Sequence, residues 1–310
     1  MNGEIEITSW FAAQSNLSPE DYPIGIGDDM AQMRVADGAS VLVTTDMLLE
    51  GVHFDLSKTS IEQAGYKAMA VNLSDCAAMA TVPTGAVCSV GLPAGWGADE
   101  LKQLHTGITT IGKRFGCPLI GGDITRWDRP SGGLTICISM LSRPVNCRPL
   151  RRSGAKPGDC IAVTGSLGGS ILGRHFCFIP RVAESLAIVQ LAQINAMIDV
   201  SDGISTDLNH ICRLSGVGAR VEAASIPLSL DAMKRPDPLR SGLDDGEDFE
   251  LLFTLAPKQW EILRSKWRLP TPLTLIGEIT RDTSVILAAS DGKESRLAAG
   301  GYDHLSGKKK

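Results

Sequence analysis

The sequence predicts a two-domain protein of mixed α and β structure, and three observations carry that expectation. Its 310 residues exceed one ordinary core and suit two units of roughly 150 each. Runs of β-branched and aliphatic residues are interleaved with Ala-rich segments of helical character. The stretch 142-SRPVNCRPLRRSGAKPGD-159 combines prolines, basic residues and turn signals, as a connection between domains does. The boundary is placed there, giving a first domain over 1–145 and a second over 146–310.

In chain order, strands are expected at Val41–Thr45, Thr84–Gly91, Leu134–Met140, Cys160–Thr164, Ala219–Val221 and Glu250–Thr254, where apolar residues run between turn signals. The segment 60-SIEQAGYKAMAVNLSDCAAMAT-81 reads as a helix: Ser60 is a cap, Glu62 follows in the first turn, and Pro83 lies just beyond the end. Asp75 is an oddity on its small-residue face. A second helix is expected near Asp99–Phe115 and a third near Asp207–Ser215, stopped by Gly216, with Asp207 as its cap.

The composition, 43% apolar and 21% charged, is that of a globular chain able to bury sizeable cores. A formal charge of -5 argues against a broad nucleic-acid footprint, and the terminal Lys308, Lys309 and Lys310 read as a solvated tail. The N-terminal MNGEIEITSWF lacks a signal-peptide pattern and no apolar run is long enough to span a membrane, so a cytoplasmic location is expected. The eight cysteines form no CxxC pair, which speaks for reduced, inert thiols and against zinc.

The chemistry concentrates in acidic turns: 25-GIGDDMA-31, 44-TTDMLLEG-51, 72-NLSD-75, 120-IGGDITR-126, 199-DVSDGISTD-207 and 244-DDGEDFE-250. Any one Asp beside Gly is an ordinary turn residue. So many in one chain point instead to carboxylates gathered at element ends. Such groups repel one another unless cations neutralise them, and hard oxygen ligands select Mg²⁺, Mn²⁺ or Ca²⁺ over zinc. A nucleotide-phosphate site is the expectation. No GxxxxGK[ST] motif is present, so a P-loop does not cradle the phosphates; Gly121 and Gly122 suggest a backbone nest in its place.

Seven motifs in order carry a resemblance: GIGDDMA (25–31), TTDMLLEGVHF (44–54), YKAMAVNLSDCAAM (66–79), GGDITR (121–126), RSGAKPGD (152–159), IDVSDGISTDL (198–208) and GEDFELLF (246–253). Through them the chain, from about residue 20 to 305, resembles the thiamine-phosphate kinase family of the aminoimidazole ribotide synthetase superfamily. The resemblance implies an α+β fold of two domains whose N-terminal sheet closes into a barrel across a homodimer. It implies ATP- and Mg²⁺-dependent phosphorylation of thiamine monophosphate to thiamine diphosphate by direct in-line transfer. Carried over by motif, Asp29, Thr44, Thr45, Asp46, Asp75, Asp123, Asp199 and Asp202 would hold several Mg²⁺ ions. Gly122, Arg152 and Ser201 match positions at ATP, and His53, Glu247 and Tyr302 match positions at the thiamine phosphate.

Physical reasoning agrees with that implication. Donor and acceptor are both anionic phosphates, so cations must offset their repulsion, and the transfer itself needs mainly alignment and electrostatic stabilisation. An acceptor that is already an anion needs no general base, so no catalytic side chain is assigned. A carboxylate and an aromatic face suit the substrate's cationic rings, roles for Glu247 and Tyr302. Asp245 and Phe249 depart from the family's usual Gly and Tyr, and 164-TGSLGGSILGRH-175 looks shorter than in many relatives. His105 and His175 match no motif position, and His210, at helical spacing from Asp207, reads as a packed or surface residue.

Overall fold

A computed structural model describes residues 9–10, 12–14, 17–129, 131–145 and 147–302. The lysine tail at 308–310 lies outside the described residues. The chain builds two sheets, one on each side of the segment 145–159.

The first sheet begins with β1 (Ala31–Arg34) and β2 (Ser40–Leu49), an antiparallel pair. The two-residue period of β2 decides where the site lies. Leu42 and Leu48 are buried on one face, so Thr44 and Asp46 between them are carried to that same face. Helix α1 (Ile61–Ala78) follows. It starts as the sequence predicts, with Ser60 accepting from the Gln63 N–H and the Gln63 side chain returning to the Ser60 N–H. Substituting Ser60 by Ala is expected to lower stability by about 1 kcal/mol. Urea unfolding checks this, as a lower midpoint at unchanged slope.

Helix α1 is buried on nearly every side, the mark of a central helix. Its small residues admit a close neighbour, α2 (Ala98–Arg114), which follows β3 (Thr81–Leu92). A Cβ added at Gly107 would stand 2.0 Å from the Glu62 carbonyl oxygen, so only glycine lets the two backbones meet there. β4 (Leu119–Arg126) runs parallel to β3, and β5 (Thr135–Pro144) returns between β3 and β2. The strand order is β1-β2-β5-β3-β4, with α1 against β5, β2 and β3 on one face. The opposite face carries exposed Val43, Met47, Val87 and Leu141. The sheet is open, with β1 and β4 as its edges, so no barrel closes within one chain among the described residues.

The second sheet contains β6 (Cys160–Thr164), β7 (Ala196–Asp199), β8 (Gly218–Glu222), β9 (Leu251–Leu255), β10 (Leu273–Thr280), β11 (Val285–Ala288) and β12 (Glu294–Arg296). Its order is β12-β11-β8-β10-β6-β9-β7, antiparallel except for the β8–β11 pair. Helices α3 (Val182–Leu191), α4 (Ile204–Ser215), α5 (Pro238–Asp244) and α6 (Pro257–Lys266) complete this unit. Alternate residues of its central strands sort into two cores. Ile161, Val163, Ile198 and Leu252 face one side, while Ala162, Met197, Leu251 and Phe253 face the other. Both faces are therefore covered, and continuous apolar runs replace the alternating pattern of a half-exposed sheet.

Helix α1 also packs on α3 and β7, so one helix joins the two units. Ser185 donates to the Ala77 carbonyl at 2.5 Å, and Ser74 donates to Asp199 at 2.6 Å. The site lies at this junction.

Every predicted strand and helix forms, β2 and β3 being longer than their cores suggested. Three differences have plain causes. Asp207 is not a cap: α4 begins at Ile204 after Gly203, and Asp207 sits buried in its first turn, accepting the Asp202 N–H at 3.2 Å. GGDITR, expected as a turn, forms β4, an edge strand whose polar residues hide its period. Gly122 is there because the Cys88 carbonyl oxygen would lie 2.0 Å from any Cβ, and neither Gly121 nor Gly122 has the positive φ that a nest requires.

Candidate active site

Four carboxylates approach one another from four elements. Asp46 points to the core face of β2, Asp75 stands in the last turn of α1, Asp199 ends β7, and Asp29 lies in the turn before β1. Oxygens of Asp29, Asp75 and Asp199 lie within 4.8 Å of one another. Thr44 donates to Asp75 at 2.5 Å, and Ser74 holds Asp199. Asp46 Oδ2 is buried and has no hydrogen-bond partner among the described residues. A buried orphan oxygen is costly unless something binds it.

The crowding shows in the acidities. Burial pushes Asp46 up to about 6, with the charge of Asp29 adding and a hydrogen bond to Asp75 opposing. Burial likewise raises Asp199 to about 8, helped by Asp29 and opposed by Ser74 and Arg152. Asp75 is raised well above the carboxylate range, first by burial and then by Asp46, Asp199 and Asp29. These are groups that a cation would ionise.

Part of that cationic charge is supplied by the chain. Burial opposes the charge on Arg152, but Asp29 more than offsets it: the guanidinium meets Asp29 twice, at 2.8 and 3.1 Å. Next to it, Asp28 accepts the Arg152 N–H at 2.8 Å and pairs with Arg151 at 3.0 Å. Arg152, expected at ATP, is thus already the partner of a site carboxylate. Asp202 and Ser201 precede α4, with the Ser201 carbonyl accepting the Glu247 N–H at 2.7 Å. Gly300 and Gly301 donate to Ser205 and Thr206 at 3.1 and 3.0 Å, which sets Tyr302 beside the same helix start.

Other expected residues are placed elsewhere. The period of β2 turns the Thr45 hydroxyl to the opposite face, where it accepts from Ser139 at 2.9 Å, so it is no side-chain ligand of this cluster. Asp123 pairs in register with Ser89 on that same outward face and is exposed on the edge strand, so one chain does not bring it to the other acids. Glu247, expected to face substrate rings, has its carboxylate engaged by Lys67 at 2.6 Å and by His175 Nδ1 at hydrogen-bonding range. His53 Nδ1 accepts the Leu49 N–H at 3.0 Å, and its carbonyl accepts from Lys67 at 2.7 Å. Glu50, the other acid of this stretch, accepts the Leu134 N–H at 2.9 Å and ties the end of β2 to β5.

The sequence reading missed the cations that hold GEDFE. Arg174 binds Asp248 at 2.7 Å, Arg181 binds Glu250 at 2.6 and 2.7 Å, and His175 and Lys67 bind Glu247. All but Lys67 come from 174–181, which includes the end of the stretch that looked trimmed. Two signals were present. Basic residues 174, 175 and 181 equal acids 247, 248 and 250 in number and oppose them in sign, and Lys67 is the lone cation within the apolar helix interior.

Fold and site together define a two-domain α+β protein with a buried carboxylate cluster suited to hard cations, set where the two units meet. Comparison with known proteins agrees. The family model for the AIR synthase related protein, N-terminal domain, matches residues 27–143, and that for the C-terminal domain matches 179–289. A thiamine-monophosphate kinase of Rhodopirellula baltica is 35% identical over 290 residues, covering 92% of this chain and 88% of the relative. The thiamine-monophosphate kinase of Escherichia coli K12 is 34% identical, with 98% of each chain covered. A solved structure described as AaThiL complexed with AMPPCP and TMP superposes with a TM-score of 0.81 at 28% identity, covering 97% of both chains. The chain belongs to the AIR synthase related family and, within it, to the thiamine-monophosphate kinases.

Proposed function

We propose that this protein transfers the γ-phosphoryl group of ATP to the phosphate of thiamine monophosphate, giving thiamine diphosphate and ADP with the help of Mg²⁺. The observation that carries the reading is the convergence of Asp29, Asp75 and Asp199 beside the orphan oxygen of Asp46. The names of the relatives and the ligands of the AaThiL complex support it.

The donor set is all oxygen, as Mg²⁺ prefers, and Asp29, Asp46, Asp75 and Asp199 would hold it. Bound there, Mg²⁺ supplies positive charge that lets two phosphate anions approach. The chain's own groups do the rest. Thr44 and Ser74 orient Asp75 and Asp199, and Arg152 fixes Asp29. An acceptor phosphate oxygen attacks the γ-phosphorus as its bond to the ADP oxygen breaks, and ADP leaves with that electron pair. No side chain takes a proton, because the attacking oxygen is already anionic.

The same reading gives a homodimer in the cytoplasm, with the exposed apolar face of the first sheet meeting a second copy and closing the barrel. Asp123 and Thr45 lie on that face, so any part they take in cation binding depends on that second copy. The domain division is taken at 145/146, between β5 and β6.

Incubation with ATP, Mg²⁺ and a panel of acceptors, followed by mass analysis, tests the proposal. Thiamine monophosphate should yield thiamine diphosphate, and free thiamine, whose neutral hydroxyl would need a base, should turn over at least about 100-fold more slowly. Comparable turnover of free thiamine would exclude the mechanism.

A further inference from the structure

Lys67 is 1% exposed, although α1 is otherwise lined by Ala, Met, Val and Leu at this level. A buried ammonium survives only when its donors are met. Here Nζ donates to the His53 carbonyl at 2.7 Å and to Glu247 Oε1 at 2.6 Å, and His175 Nδ1 is 3.0 Å away. The ring of Phe176 lies 5.2 Å from the same nitrogen.

One imidazole nitrogen cannot both accept from Lys67 and donate to Glu247. Glu247 is ionised: burial works against its charge, but His175 and Lys67 overcome it and hold the group at about 2. A bare lone pair on Nδ1 would repel that carboxylate, so Nδ1 carries the proton and donates to Oε2. Lys67 then fixes one carboxylate oxygen and His175 the other. The backbone beneath is held too. Glu247 and Phe249 have φ of +54° and +50°, a left-handed conformation that strains non-glycine residues. Their N–H groups are pinned to Ser201 and Val200 at 2.7 and 2.9 Å.

We infer that Lys67 is a positioning residue for the thiamine-phosphate pocket, with His175 as its second. One buried ammonium from the first unit ties the loop after β2, through His53, to the GEDFE turn of the second unit, through Glu247. Glu247 is therefore not a free anion awaiting a cationic ring. It is a neutralised, oriented carboxylate whose place sets the distance between two sides of the pocket. This rests on the functional reading above and on the motif resemblance, which sets His53 and Glu247 at the acceptor substrate.

The test combines kinetics with melting. Lys67→Met should raise the KM for thiamine monophosphate tenfold or more, while the KM for ATP stays within twofold. His175→Phe, which keeps the ring bulk without a donor, should shift the same KM in the same direction. His175→Asn, whose amide can replace the Nδ1–H donor, should stay near the parent. Equal rises for both substrates, or an unchanged KM, would overturn the positioning role. Melting temperatures judge the tie without activity. Lys67→Met strands the buried Glu247 carboxylate, so adding Glu247→Gln should raise the melting temperature of that variant. A double variant lower by the sum of the two single losses would refute the coupling. If the parent makes no thiamine diphosphate, the functional reading fails, and the melting series still decides whether Lys67 and Glu247 act as a pair.

Discussion

Replacing Asp46 with Asn lowers phosphoryl transfer by about two to three orders of magnitude, the range seen when a preorganised electrostatic partner is removed. It leaves the metal-free protein as stable as the parent, or more so. Asn has nearly the same shape, but it removes one charge from a buried acidic cluster and replaces an orphan carboxylate oxygen. The pH dependence has a definite sign. Asp199, raised to about 8, and Asp75, raised well above the usual range, keep protons in the folded state that the unfolded chain releases near pH 4. Asp248, which burial raises to about 7, acts in the same direction. The folded state thus binds more protons, and its stability falls as pH rises from 6.5 to 8.5. His210, held by burial down to about 4, opposes this only below its ordinary pKa near 6.5. Losing the Asp46 charge weakens the repulsion on Asp75 and Asp199, so the variant's slope is shallower. Mg²⁺ with ATP stabilises the parent most at pH 8.5, where the cluster is most charged. Thermal melts at both pH values, with and without Mg²⁺-ATP, check all of this together. A variant that melts far below the parent without metal would make Asp46 a structural group, and full activity would dismiss it from the site.

Replacing Arg152 with Met should cost about 3 kcal/mol of metal-free stability, at the lower end of the range for breaking a buried pair, because the guanidinium is 23% exposed. In a chain with two units this corresponds to a melting temperature lower by roughly 10 °C. The Asp29 side chain is wholly buried, and without Arg152 its carboxylate has lost a bidentate partner. A divalent cation can take over that role. Added Mg²⁺ should therefore recover more stability in the variant than it adds to the parent. Activity falls as well, since Asp29 is no longer fixed. An unchanged metal-free melting temperature would show that the pair contributes nothing, and equal Mg²⁺ gains in both proteins would separate Asp29 from the cation site.

By itself, the sequence determined what depends on local periodicity and on motif identity. The span Val41–Thr45 and the capped Ala-rich helix were legible because strand period, cap chemistry and burial all agree along a short length of chain. The family was legible because TTDMLLEGVHF and VNLSD are long and specific, and these two, with GIGDDMA and IDVSDGISTDL, named Asp46, Asp75, Asp29 and Asp199 before any of them had a position.

Tertiary structure alone decided which of those residues share a space. Thr45 sits beside Thr44 and Asp46 in sequence and is sent to the other face by the pleat. Asp123 follows two glycines, as loop residues often do, but the register of β4 on β3 carries it outward. Glu247 and Lys67 are 180 residues apart, and His175 and Glu247 72, so no local pattern could pair them. The physical reason is common to all of these. Local preferences set each residue's direction along its own strand or helix, whereas electrostatic partnership depends on distances created only when α1 is buried between two sheets. There the cost of desolvating a charge favours a partner for a buried carboxylate: the chain supplies Arg174, Arg181 and Lys67 at the GEDFE turn, and Arg152 beside Asp29 within the carboxylate cluster itself.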